Sequence, residues 1–213
     1  MNKTYKALFL EFVVIVIGVL TAFAVEELAT SINENKQQRL YLTSVKAELT
    51  ENKVHLSNLI NGNIRQASTT DTLLHYLDNK ILPDSTELFK SFQVYGYLIF
   101  NLGAYEALKN SRVYDKLDNI ELTTELNNLI AQVESTLEFQ GKLETLQMQL
   151  FVVENNDAID PISRIVLSNS VYSLKYKNNI KQIQGYRLVI TDEFKLIREK
   201  IDGIIELIET EIQ

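Results

Sequence analysis

A chain of 213 residues with a net charge of −7, its acidic and basic side chains interspersed, carries no basic stripe to neutralise phosphates, which argues against nucleic acid as a partner. The absence of cysteine removes disulfides, thiol nucleophiles and Cys-based metal sites. Seven glycines and two prolines, far below usage of about 7% and 5%, leave few turn signals and favour helices, and the length suffices for one domain with a sizeable core.

Residues Ala7 to Val25 form an apolar run with one charge in it, Glu11, flanked by Lys3 and Lys6 before and Glu26 and Glu27 after. At about 1.5 Å rise per residue this run is long enough to cross a hydrocarbon core roughly 30 Å thick, and it reads as one transmembrane helix. Lysines before the span and none close after it orient residues 1–6 as a cytoplasmic tail and residues 26–213 as a periplasmic domain in a bacterial inner membrane. Ala22-Phe23-Ala24 also matches a signal-peptidase site, so a cleaved signal is the rival reading. Against it stand the length of the run, the early Glu11 and a 3/4 spacing through Leu20, Phe23, Ala24, Leu28 and Ile32 that continues past the site.

From Glu26 to Ile81 the apolar positions keep helical, partly heptad periodicity through Leu42, Val45, Leu49, Leu56, Leu59, Leu74 and Leu77, with Asn52 and Asn63 where apolar residues would otherwise fall. Asn61-Gly62-Asn63 either forms a helix-to-helix turn or lies within a continuous helix that would extend roughly 80 Å beyond the bilayer. Leu82-Pro83-Asp84 ends the segment, and Asp84 with Glu87 has capping-box spacing for a new start. Phe89 to Phe100 is the most aromatic stretch, read as a core plug with a surface groove as the alternative.

A short helix follows at Gly103 to Lys109, ending at Asn110-Ser111, and Asn119 can cap a long helix. That helix carries Leu122, Leu126, Leu129, Ile130, Val133, Leu137, Leu143, Leu146, Leu150 and Val153 to about Glu154, where Asn155-Asn156-Asp157 and Pro161 end it. Ile162 to Tyr176 reads as a weaker helix with a break at Ser168-Asn169-Ser170. The segment from about Lys177 to the end has a seam of Ile180, Ile183, Leu188, Ile190, Phe194, Ile197, Ile201, Ile204, Ile205, Ile208 and Ile212. The expected fold is all-α, a transmembrane helix continuing into a periplasmic antiparallel helical bundle.

Three elements together carry a resemblance: the anchor Glu11 to Val19, the helix Tyr41 to Leu49 and the later Tyr105-Glu106-Ala107-Leu108-Lys109-Asn110-Ser111. The combination resembles an uncharacterised family of single-span envelope proteins common in the Bacteroidota, a domain of unknown function with an N-terminal anchor and a YEALKNSG-like element. The chain departs from that pattern at Arg112, where the family usually has glycine, and at Ser31 to Asn35, where the family commonly has an aromatic-rich run. The resemblance implies location and architecture, and it carries no activity.

Glu11 stands out because a carboxylate in a span costs about 2.5 to 3.5 kcal/mol at the helix centre, so it should be neutral, paired or near water. It reads as a residue reaching the cytoplasmic headgroups, as a contact to a partner helix, or as a proton-relay carboxylate like those of single-span motor stators. Gly18 and Ala22 form a small-xxx-small pair that lets helix backbones approach. Glu51 with His55 and Asp71 with His75 are i, i+4 pairs that could share a metal only if the chain turned at Gly62; ordinary surface pairing is the simpler reading. Tyr105, Glu106, Leu108, Asn110 and Ser111 read as a structural motif, with a polar cleft as the alternative, and no phosphate loop, HExxH or G-x-S-x-G is present. No cofactor, metal or catalytic residue is expected.

The residues thus point to a membrane-anchored structural or adaptor subunit of an envelope assembly, associating with its own copies or with another envelope protein. A ligand-sensing bundle signalling through a partner and a proton-coupled subunit using Glu11 are the alternatives, with an enzyme or metal-binding protein the least supported.

Overall fold

The computed structural model describes residues 3–83, 88–89, 96–149, 158–160 and 166–212, with side chains described at 9 and from 11 onward. Among these are four α-helices, α1 (Lys3–Asp78), α2 (Gly103–Lys109), α3 (Ile120–Met148) and α4 (Leu174–Glu211), and two 3-10 turns, Tyr114–Lys116 and Asn169–Tyr172. No strand occurs among the described residues beyond an isolated bridge between Ile159 and Val166. The protein is all-helical, and it divides into two compact units, one of Met1–Val45 with Gly103–Asp118 and the other of Lys46–Leu102 with Asn119–Glu211.

The second unit is built on seven-residue repeats. On α4 the buried positions Tyr176, Ile180, Ile183, Arg187, Ile190, Phe194, Ile197, Ile201, Ile204 and Ile208 alternate steps of four and three without a slip. On α3 the same alternation runs through Leu122, Leu126, Leu129, Val133, Thr136, Gln140, Leu143 and Gln147. Such a repeat of 3.5 residues keeps one seam facing its neighbours at the cost of slight supercoiling. Both helices correct the expected seams. Leu137 and Leu188 are 40% and 49% exposed, and the core positions beside them are filled by Thr136, Gln140 and Arg187. A seam selected for apolar residues slides one place where a polar residue occupies the buried position.

The part of α1 in this unit runs through Leu49, Asn52, Leu56, Leu59, Asn63, Ala67, Thr70, Leu74 and Leu77, all buried. Two successive steps of four, Leu59 to Asn63 to Ala67, are a stutter that locally relaxes the supercoil. Pairings order the helices: Lys46 with Glu209, Lys53 with Asp202, Asn63 with Thr191, Asp71 with Gln184 and Asp78 with Lys177, so residue numbers fall on α4 as they rise on α1. At one end Leu73, Leu74, Leu77, Phe89, Ala158, Ile159, Val171, Tyr176 and Ile180 close a common core. Phe89 and Leu98 are buried, as a core plug requires, whereas Tyr97 and Ile99 are exposed.

Helix ends follow local chemistry. Asn61-Gly62-Asn63 lies inside α1, which is helical without interruption. One glycine costs a helix about 1 kcal/mol relative to alanine, less than the packing gained on either side of it. At the end of α1, Ile81 N donates to Tyr76 O at 2.9 Å and Lys80 N to Leu77 O at 3.2 Å, the two bonds of a Schellman closure. Lys80 takes the left-handed conformation this requires, with φ 54°. Asn119 caps α3, its Oδ1 accepting from Leu122 N at 3.0 Å. Ser173 Oγ accepts from Tyr176 N at 3.2 Å, so α4 begins earlier than Lys177. Residues 166–168 are not helical, which corrects the helix expected over Ile162 to Tyr176; Ser168 instead caps the 3-10 turn. The expected features at Asp84, Glu87, Leu150, Val153, Asn155 to Asp157 and Pro161 lie outside the described residues.

In the first unit the buried apolar residues are Leu42 and Val45 of α1, Tyr105 and Leu108 of α2, and Val113 and Leu117 around the first 3-10 turn. Lys116 of that turn pairs with Glu34 of α1. Among the described residues Lys80 alone, of the non-glycines, has positive φ, so the turn at Arg112 forms without the conformation that would call for glycine there.

Candidate functional site

The N-terminal part of α1 contains an 18-residue window of mean hydropathy 2.2, none of it buried, long and apolar enough to cross a membrane. Phe12, Val14, Ile15, Ile17, Leu20, Phe23 and Val25 are each at least 58% exposed and point in every direction around the helix. A helix apolar on all sides belongs to a lipid span or to the centre of a large core. Thr21 Oγ1 donates to Ile17 O at 2.8 Å, so the hydroxyl is satisfied within its own helix, as an apolar surrounding demands.

Glu11, Gly18 and Ala22 are exposed and, at spacings of seven and four, share one side of α1. A Cβ on Gly18 would meet nothing within 4 Å, so no neighbour among the described residues accounts for the small residue there.

In the YEALKNS element, Tyr105 and Leu108 are buried, and Lys109 Nζ lies 5.7 Å from the Tyr105 ring centroid. Asn110 N donates to Glu106 O at 3.0 Å, and Ser111 Oγ donates to Leu108 O at 2.6 Å, which ends the helix with the serine hydroxyl turned back onto it. Glu106 and Asn110 are exposed.

The two carboxylate–histidine pairs lie on one uninterrupted helix, roughly 30 Å apart at 1.5 Å per residue, and do not converge. His55 Nε2 lies 3.2 Å from Tyr97 O and 3.5 Å from Ile99 N, while Asp71 Oδ1 accepts from Gln184 Nε2 at 2.7 Å. Among the described residues no group of three or more His, Asp or Glu is placed to hold a metal ion.

His55 belongs to an arrangement that periodicity does not disclose. The extended segment Gly96 to Asn101 carries backbone groups that no helix ladder satisfies, and side chains supply the partners. Asn52 makes a reciprocal pair with Asn101, Nδ2 donating to Asn101 O at 2.8 Å and Oδ1 accepting from Asn101 N at 3.0 Å. Gln140 Oε1 accepts from Leu98 N at 3.1 Å, and Tyr97 OH donates to Glu144 Oε1 at 2.9 Å. A Cβ at Gly96 would run into Leu59 Cδ2, so the segment passes close to α1 there. A second buried set joins Asn63 Nδ2 to Thr191 Oγ1 at 3.0 Å, Thr191 Oγ1 to Arg187 O at 2.6 Å, and Arg187 Nη1 to Thr70 Oγ1 at 3.3 Å. The signal for both sets is polar residues in heptad core positions. Asn52 and Asn63 show it in the α1 pattern; Gln140 and Arg187 do so only once the seams of α3 and α4 are placed correctly.

Comparison with known proteins returns no matching family model, no matching curated relative and no matching solved structure. The functional reading rests on the chain's own residues.

Proposed function

We propose that this chain is a membrane-anchored structural or adaptor subunit of a bacterial envelope assembly, without catalysis of its own. Its N-terminal helix crosses the inner membrane, residues 1–6 lie in the cytoplasm, and the helices beyond Val25 form an antiparallel bundle in the periplasm. The observation that carries the reading is α1 itself. Its first part is apolar on every side and exposed, while its later part buries a single stripe, a division of labour between lipid and protein surroundings. The falling order of α4 partners along α1 supports the antiparallel arrangement, and the lysines at 3 and 6 with glutamates at 26 and 27 support the orientation. Buried Asn52 and Gln140 clamp backbone groups of residues 98–101 and buried Asn63, Thr191, Arg187 and Thr70 bond one another, which supports a scaffold. The motif resemblance to single-span envelope proteins agrees with the location.

Fractionation of expressing cells with alkaline extraction and protease accessibility of a C-terminal tag tests the anchor and its orientation. Mild-detergent purification with mass spectrometry then tests the assembly. Retention in the membrane, a tag cleaved only when the periplasm is opened to protease, and reproducible association with copies or envelope proteins are expected. Release by alkali, or a monodisperse monomer without partners, overturns the reading.

A further inference from the structure

Resting on the membrane-anchor reading, we propose that the face of α1 bearing Gly18, Val25, Leu28 and Ile32 is a seam for a second copy of this chain, paired in parallel. Val25, Leu28 and Ile32 are 60%, 64% and 69% exposed, and they project on a different side of α1 from Glu34, which pairs with Lys116. Stepping by three and four from Gly18 gives Thr21, Val25, Leu28, Ile32 and Asn35. Gly18, Val25 and Ile32 then occupy position a of the heptad and Thr21, Leu28 and Asn35 position d. β-Branched residues at a with leucine at d favour two parallel strands.

Charge selects the occupant. Between Gly18 and Asn35 the charged residues are Glu26, Glu27 and Glu34, all at the outer b and c positions, while the flanking e and g positions hold Ala22, Ala24, Ala29 and Ser31. A seam meant for a different protein would be expected to carry flanking charges that set partner choice. A neutral, small-flanked seam matches itself without placing like charges together, and its alanines let two backbones approach closely. Copies inserted by the same N-terminal span share one orientation, so parallel pairing is imposed. The seam outside the membrane is short, but restriction to one plane raises the effective concentration of the partner. The neutral seam ends where Lys36 lines a shallow furrow of about 440 Å³ with Ile32, Asn35 and Leu40.

The chain lacks cysteine, so single-cysteine variants cross-link only at the chosen site. V25C, L28C and I32C in the full chain are compared with E27C, T30C and N33C on the other faces, in alkali-washed membranes of expressing cells under mild oxidation. Disulfide-linked dimers several-fold more abundant at 25, 28 and 32 are expected, and L28K in the I32C background should abolish them while leaving thermal unfolding of the chain unchanged. Equal cross-linking on all faces, a maximum at 27, 30 or 33, or no dimer in protein that stays in the membrane overturns the seam alone. Release of the chain by the alkaline wash overturns the anchor with it.

Discussion

Two stretches of the same helix behave in opposite ways. Residues 12 to 25 are the most apolar of the chain and are almost wholly exposed, whereas residues 49 to 77 are more polar and bury every third or fourth side chain. Apolar content by itself therefore does not mark a core. What marks it is anisotropy, because a helix can place only one stripe against a neighbour, and a helix apolar all round needs a surrounding apolar solvent. The second stretch shows the complement: polar residues enter the seam wherever a backbone or another side chain there needs a partner, as Asn52 does for Asn101.

The contrast is broken most severely by truncating the stripe. Leu56→Ala or Phe194→Ala, both at 0% exposure, should cost about 2–5 kcal/mol in chemical unfolding, while Phe23→Ala in the apolar stretch should leave unfolding within about 0.5 kcal/mol. Asn52→Leu, which makes the seam more apolar, should nonetheless destabilise by about 1–3 kcal/mol, because both backbone groups of Asn101 lose their partner. A gain in stability there would show that apolar content does govern this seam. Asn119→Ala, outside the seam, should cost about 1 kcal/mol through the lost cap of α3. Lys80→Gly should raise stability by up to about 1 kcal/mol, since glycine adopts the left-handed conformation without the steric cost borne by lysine.

The smallest effect concerns pH. The hydrogen bond and charge of Lys177 hold the Asp78 carboxyl below an aspartate's ordinary value of 3.8. A carboxyl depressed by folding contributes stability that is present above its unfolded value and lost as pH falls through the folded one. Acid titration below the ordinary value should therefore weaken the packing of α1 on α4 beside Asp78, and Asp78→Asn should flatten that part of a stability-against-pH curve. An unchanged curve would show that the exposed pair contributes nothing measurable.

Much of the architecture was legible from residue order because it depends on neighbours in the chain. The apolar run of residues 7–25, the capping Asn119 and the short helix from Gly103 each arise from local rules of length, capping and φ, ψ preference, whereas α1 ends at Asp78, three residues before the end expected at Ile81, because Lys80 takes the left-handed conformation. The candidate contact residues Glu11, Gly18 and Ala22 were legible in the same way, since a shared helix face follows from spacing alone.

Other features needed the tertiary structure. Asn61-Gly62-Asn63 suits a turn as well as a helix, and the difference of about 1 kcal/mol is decided by packing, with Asn63 bonded to Thr191 far along the chain. Arg187, Thr136 and Gln140 displaced Leu188 and Leu137 from the expected seams because burial follows geometric register, whatever residue occupies it. The clamp on residues 96–101 joins side chains from separated segments to backbone groups, and backbone hydrogen-bond demand leaves no periodic trace. By itself the sequence determined the apolar run, the short helix from Gly103 and the cap of α3, and which helix is apolar enough for lipid, because those are properties of adjacent residues. Only the tertiary structure decided which polar side chains enter the core, because their partners lie on segments brought together by folding.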